Sequence, residues 1–332
     1  NSLFGALKYE LPLGDPRHRI GFEATRNTFD VANLSDAGVG NEVGGVSEIG
    51  SIYYQRNFVR SRDRKVGGKI GLSHKSAETR AGTAVGSQDE IAVLGIEGNY
   101  ENINSQTATI TSAYVRLDTG LDGALGVPTI DELLEPGRQP QPGRTGTDEF
   151  GNRVVAGSDF YKLTFGYSWL KSLTVNQTLL LRMNGQYSDD LLTSIEEFSI
   201  GGPASVRAIP SSQFLTDSGA FVSAEWGVRA PGFADKPAFA NRNWGDVLRF
   251  TLFYDYGYGL YADSAALAAD EEDFVEAGGG GVGVEFGLPG VFRFNVQWAK
   301  LVNGVDADPT DVTNPRAILD EDQLWLDLTV EF

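Results

Sequence analysis

The feature that most constrains this chain is the strict alternation of apolar and polar residues at its end. Alternate positions from Leu324 to Phe332 are apolar, and the positions between them are polar apart from Trp325. A period of two is the signature of a β-strand, because successive side chains of a strand point to opposite faces. The end of the chain therefore predicts a strand with one apolar face.

The same alternation recurs along the whole sequence. We predict about 13 strands, near residues 2–13, 17–27, 45–59, 63–77, 88–101, 105–118, 157–168, 171–188, 220–231, 246–256, 274–286, 291–301 and 322–332. Charged residues such as Arg249 and Arg293 fall on the polar faces of these strands, and mid-strand charges suit a watery lumen better than a dry core. The pattern favours an all-β fold, a transmembrane antiparallel β-barrel whose apolar face meets lipid.

Composition narrows the classes of protein. No apolar run reaches the roughly 18–20 residues of a membrane helix, which leaves a soluble β-rich protein or a membrane barrel. The chain of 332 residues has no Cys, which excludes a disulfide scaffold and a thiolate metal site. Its net charge of −18 argues against nucleic acid as a partner. His18 and His74 lie far apart and neither accompanies a plausible nucleophile, so we expect no enzyme, no metal and no cofactor.

The connections between the predicted strands alternate between short and long. Short ones are expected near 14–16, 60–62, 102–104, 169–170 and 287–290, and long ones near 28–44, 78–87, 119–156, 189–219, 257–273 and 302–321. Outer-membrane barrels have tight periplasmic turns and long external loops. The rhythm therefore favours the outer membrane of a Gram-negative bacterium. The connection at 232–245 is the exception, since it is long where a short turn is expected.

Charge supports the same orientation. The acidic run at 270–273 falls in a long connection, whereas Arg60, Arg62, Arg64 and Lys65 flank a short one. Charged loops also serve solubility alone, so this asymmetry only supports the assignment.

The odd number of predicted strands bears on the extent of the domain. An odd count cannot close an up-and-down antiparallel barrel, because the first and last strands would pair in parallel. Either some strands escape detection or N-terminal strands are missing. The first predicted strand begins at residue 2 without a leading segment, which favours missing strands. We therefore expect residues 1–332 to form one barrel domain without its N-terminal strands.

The connection at 189–219 carries the most distinctive motif, Ile200-Gly201-Gly202-Pro203-Ala204-Ser205-Val206-Arg207. Its paired glycines allow backbone conformations closed to other residues, and the proline fixes one dihedral. The arginine offers a planar, permanently charged fork. Upstream, Thr193 and Glu196 have the spacing of a capping box, which predicts a short helical turn. We expect a loop of defined shape.

This motif resembles the signature loop of the BamA/TpsB superfamily of outer-membrane proteins. The flanking tripeptides make the resemblance strongest to the TpsB transporters of two-partner secretion. The residues that carry the resemblance are Gly201, Gly202, Ser205, Val206 and Arg207, with Gln186-Tyr187-Ser188 and Glu197-Phe198-Ser199 beside them. The chain departs from the family pattern at Ala208-Ile209, where the family usually has glycine and an aromatic residue.

The resemblance implies a barrel of sixteen strands, upstream periplasmic POTRA domains, and a 189–219 loop that folds into the lumen. No POTRA-like pattern occurs in this sequence. In the family the loop arginine pairs with acidic residues of the inner wall, and the candidates for Arg207 are Glu225 and Asp255. Alternation independently places both acids on the polar face of their strands. The terminal Phe332 matches the barrel-assembly signal of such proteins.

Four consecutive glycines at 278–281 fall within a predicted strand. Glycines in a strand mark a bend or the close approach of another segment, here the 189–219 loop. A flexible loop would have the same composition, and the sequence leaves the two readings open.

The leading hypothesis for function is an outer-membrane pore that translocates a large secreted partner protein. Its expected partners are that exoprotein, outer-membrane lipid and lipopolysaccharide, and the barrel assembly machinery. A BamA-like insertase of outer-membrane proteins shares the loop and is the alternative. A passive porin is the third reading, although porins constrict with charged loops and do not need this motif.

Overall fold

The computed structural model describes residues 2–31, 43–81, 84–263, 265, 273–304 and 322–331. In this part of the chain thirteen strands form one antiparallel sheet, which confirms the all-β prediction. They are β1 (Ser2–Leu13), β2 (Asp15–Val31), β3 (Val43–Arg60), β4 (Arg64–Ala81), β5 (Ala84–Asn104), β6 (Thr109–Gly120), β9 (Tyr161–Thr174), β10 (Gln177–Tyr187), β13 (Ser218–Arg229), β14 (Leu248–Leu260), β15 (Phe274–Leu288), β16 (Phe292–Gly304) and β17 (Asp322–Val330).

The remaining elements are short and lie in the connections. They are a 3₁₀ turn (Ala124–Gly126), α1 (Ile130–Leu134), α2 (Trp244–Val247), and two small hairpins formed by β7 (Thr145–Thr147) with β8 (Arg153–Val155) and by β11 (Phe198–Ile200) with β12 (Phe214–Thr216). Among the described residues, no helix has the length and apolar character needed to cross a membrane.

Each strand of the large sheet pairs with the next in chain order, from β1 at one edge to β17 at the other. The described residues contain no pairing between β1 and β17. Sequential antiparallel pairing is the topology of up-and-down barrels.

The two faces of the sheet differ as the alternation predicts. On the outer face of β17, Leu324, Leu326 and Leu328 are 61%, 64% and 63% exposed. On β14 the outward Leu252 is 55% exposed, whereas its inward neighbour Phe253 is 3% exposed. Continuous exposed apolar surface is unfavourable in water and is what a lipid-facing wall requires.

Three predicted connections are wrong in place or length. The expected long connection at 78–87 shortens to two residues, because β4 and β5 continue until Ala81 pairs with Ala84. The expected turn at 102–104 lies instead at 105–108, because residues 102–104 remain paired with β6. The expected turn at 169–170 lies instead at 175–176, because Trp169 and Leu170 remain paired with β10. In each case the strands continue past the predicted boundary, since the ladder hydrogen bonds do not depend on side-chain polarity.

Antiparallel pairing sorts the connections into two ends of the sheet. We call one the turn end, with the connections at residue 14 and at 61–63, 105–108, 175–176, 230–247 and 289–291. We call the other the loop end, which includes 121–160 and 188–217. The 230–247 connection contains α2 and is the long exception that the sequence predicts.

The sheet curls around the 188–217 loop. The loop contacts β4 through Glu196 and Lys75, and contacts β17 through the Arg207 carbonyl and Trp325. In a flat sheet those strands would lie about 43 Å apart, given strands about 4.8 Å apart. The backbone from Glu196 to Gly202 reaches at most about 22 Å, and Gly202 bonds back to Val206 at 3.2 Å. Even with fully extended side chains at both contacts the loop would barely span a flat sheet, so the wall is curved.

Candidate functional site: the inserted loop

The glycine pair gives the loop its fold. Gly201 and Gly202 have φ angles of +118° and +94°, which side-chain-bearing residues rarely adopt. A Cβ on Gly201 would lie 2.1 Å from the carbonyl oxygen of Pro210. The Gly202 amide donates to the Val206 and Ile209 carbonyls at 3.2 Å and 3.0 Å. Both glycines are therefore needed for this compact turn, which presents the next residues to the wall.

The apolar residues of the loop pack on the inner face of β14, β15 and β16. This contact forms the largest buried apolar cluster of the described residues: Ile200, Val206, Ala208, Ile209, Phe214, Phe253, Val275, Ala277 and Ala299. Val206 lies over Gly257, where an added Cβ would approach its methyl group to 2.8 Å. The strand glycines make room for the loop.

Among the residues that the structure describes, Arg207 is the largest fully buried side chain, at 1% exposure. Its Nε and Nη2 donate to the two carboxylate oxygens of Asp255 at 2.8 Å and 2.9 Å, which is a bidentate pair. Its Nη1 donates to Glu225 at 3.0 Å, and its backbone amide donates to Asp255 at 3.2 Å. The structure therefore brings Arg207 together with both acids named from the sequence.

Three further residues complete the site, and the sequence did not single them out. The Ser223 hydroxyl accepts from Arg207 Nη2 at 3.2 Å, and the guanidinium carbon lies 3.4 Å from the ring centroid of Phe253. Trp325 donates its indole N–H to the Arg207 carbonyl at 2.8 Å. Ser223 is the register partner of Asp255, so strand pairing, once known, would have identified it.

Glu225 connects the site to a second arginine. Its other carboxylate oxygen lies 3.4 Å from Arg249 Nη2, and Arg249 also reaches the Thr178 hydroxyl at 3.2 Å. Asp255 and Glu225 thus serve Arg207 and Arg249, and Arg182 of β10 faces the same acids. The Arg182 Nε has no hydrogen-bond partner among the described residues. The cluster therefore carries one more cation than carboxylates, and each of its two buried carboxylates is paired and hydrogen-bonded.

Glu196 forms a second anchor of the loop, on strands other than those that bind Arg207. Its buried carboxylate pairs with Lys75 of β4 and Lys162 of β9. Gln186 donates to the Glu196 carbonyl at 2.8 Å and to the Asp217 carbonyl at 3.0 Å. The predicted turn is present, since the Glu196 amide donates to the Thr193 carbonyl at 2.8 Å. The capping-box contacts are absent, because this carboxylate binds lysines and the Thr193 hydroxyl has no hydrogen-bond partner among the described residues.

A third anchor ties the loop to the 121–160 connection, which we call the cap. Arg144 of the cap binds both carboxylate oxygens of Asp217 at 2.7 Å and 3.1 Å. The same carboxylate accepts the backbone amides of Leu192 and Ala262 at 2.8 Å and 2.9 Å. Arg144 also lies 3.0 Å from Glu197. One buried carboxylate thus joins three connections of the loop end.

The cap spans the loop end of the barrel. On one side the Gly143 amide donates to Asp89 of β5 at 2.8 Å, and on the other Gly146 forms a β-bridge with Ala265. Beneath it, inward residues of β5 pack with the loop in a buried apolar cluster of Ile91, Val93, Phe160 and Leu192. The described residues of the cap therefore bridge β5 and Ala265 at this end.

The four glycines at 278–281 are part of β15. Of the two interpretations that the sequence leaves open, the structure supports the close approach of the 188–217 loop. A Cβ on Gly279 would lie 2.1 Å from the Cβ of Ala208. Ala208 has no positive φ, so the departure from glycine at this position does not strain the backbone.

Two sequence features lie outside the described residues. They are Phe332 and the acidic positions 270–272. The role of Phe332 remains a prediction.

A reciprocal substitution tests the loop–wall contact. Gly279→Ala is expected to destabilise the barrel by about 1–3 kcal/mol, because the added methyl overlaps Ala208. Adding Ala208→Gly removes the opposing methyl and should restore most of that loss. Gly280→Ala is the matched control, since its Cβ would meet nothing closer than 3.6 Å. The thermal unfolding midpoint is measured in detergent for the wild type, the two single glycine variants and the double variant. Equal destabilisation by Gly279→Ala and Gly280→Ala would contradict the contact.

The pKa of Glu197 predicts a pH dependence of the third anchor. Burial raises the pKa of this carboxyl to about 7, which the nearby Arg144 only partly offsets because it already pairs with Asp217. A raised pKa in the folded state stabilises the fold below the unfolded value, near 4.5, and that stability is lost as pH rises through 7.

We therefore expect the barrel to be more stable at low pH, by at most about 1.4 kcal/mol per unit across this window. Glu197→Gln should flatten the dependence, and Glu149→Gln, on the cap surface, should not. Unfolding midpoints measured between the unfolded pKa and pH 7 test this prediction. If the midpoint of Glu197→Gln depends on pH as strongly as that of the wild type, another group carries the effect.

Comparison with known proteins connects this geometry to a family. The model of the family described as "Haemolysin secretion/activation protein ShlB/FhaC/HecB" matches residues 5–286. The curated Heme/hemopexin transporter protein HuxB of Haemophilus influenzae (strain 86-028NP) is 29% identical over 174 residues, which is 52% of this chain and 26% of that protein. The chain thus matches about a quarter of the length of this curated relative.

Solved structures share the fold at low sequence identity. CdiB from Escherichia coli superposes with a TM-score of 0.69 at 16% identity, over 98% of this chain and 52% of that one. CdiB from Acinetobacter baumannii gives 0.67 at 15% identity, over 98% and 50%. BamA from Haemophilus ducreyi lacking POTRA domains 1–3 gives 0.59 at 12% identity, over 99% and 62%. These likenesses concern the barrel fold.

The family match covers well over half of the chain, and its fold is that of outer-membrane barrels. The chain therefore belongs to the haemolysin secretion/activation protein family ShlB/FhaC/HecB, the TpsB transporters of the Gram-negative outer membrane.

Proposed function

We propose that this chain forms the barrel of an outer-membrane pore that translocates a large secreted partner protein. The observation that carries the proposal is the buried Arg207 cluster, which holds a family-specific loop across the inner wall. A passive channel has no need of a loop fixed by a fully buried arginine. On this proposal no enzymatic activity is expected of the barrel.

The three anchors hold different parts of the loop. The Arg207 cluster fastens its tip to β13 and β14, Glu196 fastens its near side to β4 and β9, and Asp217 fastens its base to the cap. Such polar contacts exchange readily for water when a segment moves, whereas apolar packing alone does not offer alternative partners. We infer that the loop and cap move during export and return to this arrangement.

Three further partners belong to the proposal. The exposed apolar outer face fits outer-membrane lipid, and the loop end would lie beside lipopolysaccharide. Insertion would use the barrel assembly machinery, with Phe332 in its recognition signal. Under this proposal the 188–217 loop lies in the lumen, and Gly201, Gly202, Ser205, Val206 and Arg207 fix its position.

Secretion of the neighbouring exoprotein tests the function. In cells that carry the full-length gene, the large exoprotein encoded beside it should reach the medium. Deletion should trap that one protein in the periplasm while other outer-membrane barrels assemble normally. If many outer-membrane proteins fail together, the chain is an insertase of the BamA kind. If exoprotein still reaches the medium, the translocation proposal is wrong.

A further inference from the structure

A cavity of about 310 Å³ opens at the turn end, between the 230–247 connection and the turn that joins β15 to β16. Four arginines line it: Arg229, Arg242, Arg249 and Arg293. Three carboxylates, of Asp246, Glu285 and Glu331, also line it. Arginines therefore outnumber acids here, in a chain whose net charge is −18.

Strand register places the arginines at the inner rim. Arg229 lies directly opposite Arg249, and Arg249 lies opposite Glu285 on its other side. Arg249 shares the inward face of β14 with Asp255, because the two are six residues apart. Like charges directly opposite each other destabilise a strand pair. An anion between the two side chains would relieve this repulsion.

The protein itself satisfies these arginines only in part. Arg293 is 3.9 Å from Glu285, which is a long ion pair, and Arg249 is 3.4 Å from Glu225. Arg229 and Arg242 form no ion pair with any residue that the structure describes. Arginine binds carboxylates through a planar fork, often with two hydrogen bonds. Two such forks are available to an incoming acidic group.

The surroundings favour the approach of acidic chains. Arg60, Arg62 and Arg64 lie at the same end, beside the carboxylate of Asp63, whereas Lys65 is paired with Glu101. A local excess of one charge raises the concentration of oppositely charged partners. In outer-membrane barrels the long connections are extracellular and the short turns are periplasmic, so the turn end faces the periplasm.

The cavity is also joined to the loop site. Arg249 lines the cavity and contacts Glu225, and Glu225 contacts Arg207. A ligand carboxylate that binds Arg249 would compete with Glu225 for this arginine. The cavity thus lies one residue from the cluster that holds the loop.

We propose that this arginine-lined cavity binds the carboxylates of an acidic, extended segment of the exported chain as it enters the lumen. The proposal rests on the proposed translocation function. Its inner-rim position argues for a chain in transit, since a phospholipid headgroup would lie beside the apolar outer face.

Binding of a defined peptide tests the site. The full-length protein in detergent is titrated with a fluorescent peptide of alternating glutamate and serine, and with the same peptide carrying glutamine in place of glutamate. We expect the acidic peptide to bind and the glutamine peptide not to bind. Arg229→Glu with Arg242→Glu should weaken acidic binding by roughly tenfold or more. Arg153→Glu, an exposed arginine of the cap, is the matched control and should bind normally.

Other results overturn the proposal. Unchanged affinity in the double variant does so, as does an equal loss in Arg153→Glu, which would mean unspecific charge attraction. Unchanged peptide binding with lost binding to phosphatidylglycerol vesicles would assign the arginines to lipid. If the Glu variants fail to insert, Arg229→Gln with Arg242→Gln replaces them, with a smaller expected loss. Peptide binding is measured without export, so failure of this site and failure of the secretion test are distinguishable.

Discussion

Replacing Arg207 with alanine is expected to leave an inserted barrel that no longer exports its partner. The change leaves Asp255, at 0% exposure, without its cation, and it leaves Glu225 with only the longer pair to Arg249. Removing one partner of a buried ion pair costs about 3–5 kcal/mol. Since each 1.4 kcal/mol is about tenfold in population, the docked loop should become rarer by about a hundredfold or more.

The measurement is secretion of the exoprotein, with heat-modifiable migration on gels as the check for a folded barrel. Arg207→Lys keeps the charge but loses the bidentate fork, so we expect an intermediate defect. Arg26→Ala is the matched control, because it breaks an exposed pair with Glu48, and exposed pairs contribute about 0–1 kcal/mol. Wild-type secretion by Arg207→Ala would remove the loop cluster from the mechanism.

A double substitution separates charge burial from loss of contact. Asp255→Asn alone leaves Arg207 with Glu225 as its carboxylate partner, and it should also be destabilising. Combined with Arg207→Ala, it removes one uncompensated carboxylate, so the double variant should be more stable than the sum of the two losses predicts. Strict additivity would mean that the two side chains do not interact.

Alternation predicted the wall of this barrel because lipid and lumen impose opposite polarities on neighbouring residues of every strand. From the sequence alone, alternation places Asp255 and Glu225 on the inward face. It could not place the ends of β4 and β5, which continue to Ala81 and Ala84. Residues 78–87 do not alternate in polarity, so their polarity carries no information about pairing.

The loop anchors also differ in how far the sequence predicts them. The pairing of Arg207 came from a motif with a recognised shape, whereas Arg144 lies in a long connection with no period and no motif. Glu196 has the spacing of a capping residue, yet its carboxylate pairs with Lys75 and Lys162, each more than thirty positions away. Local sequence cannot identify such partners, because the curvature of the whole sheet brings them together.

Asp217→Ala is expected to release the cap from the loop. The substitution leaves the Arg144 guanidinium with the Glu197 carboxylate and the Leu192 carbonyl, and it leaves the amides of Leu192 and Ala262 without their acceptor. Each unsatisfied buried amide costs about 1–3 kcal/mol, and the stranded arginine adds to this. We expect a loss of several kcal/mol that is confined to the loop end, since the wall does not depend on these bonds.

Limited trypsin digestion measures this opening, because Arg138, Arg144 and Arg153 all lie in the cap. Cleavage there should become much faster in Asp217→Ala while the wall stays intact. Asp148→Ala is the matched control, since that aspartate caps an exposed turn of the same segment. Asp217→Asn should fall between the two, because its amide oxygen can still accept one backbone hydrogen bond. Equal cleavage rates in Asp217→Ala and the wild type would mean that apolar packing, and not the buried carboxylate, holds the cap against the loop.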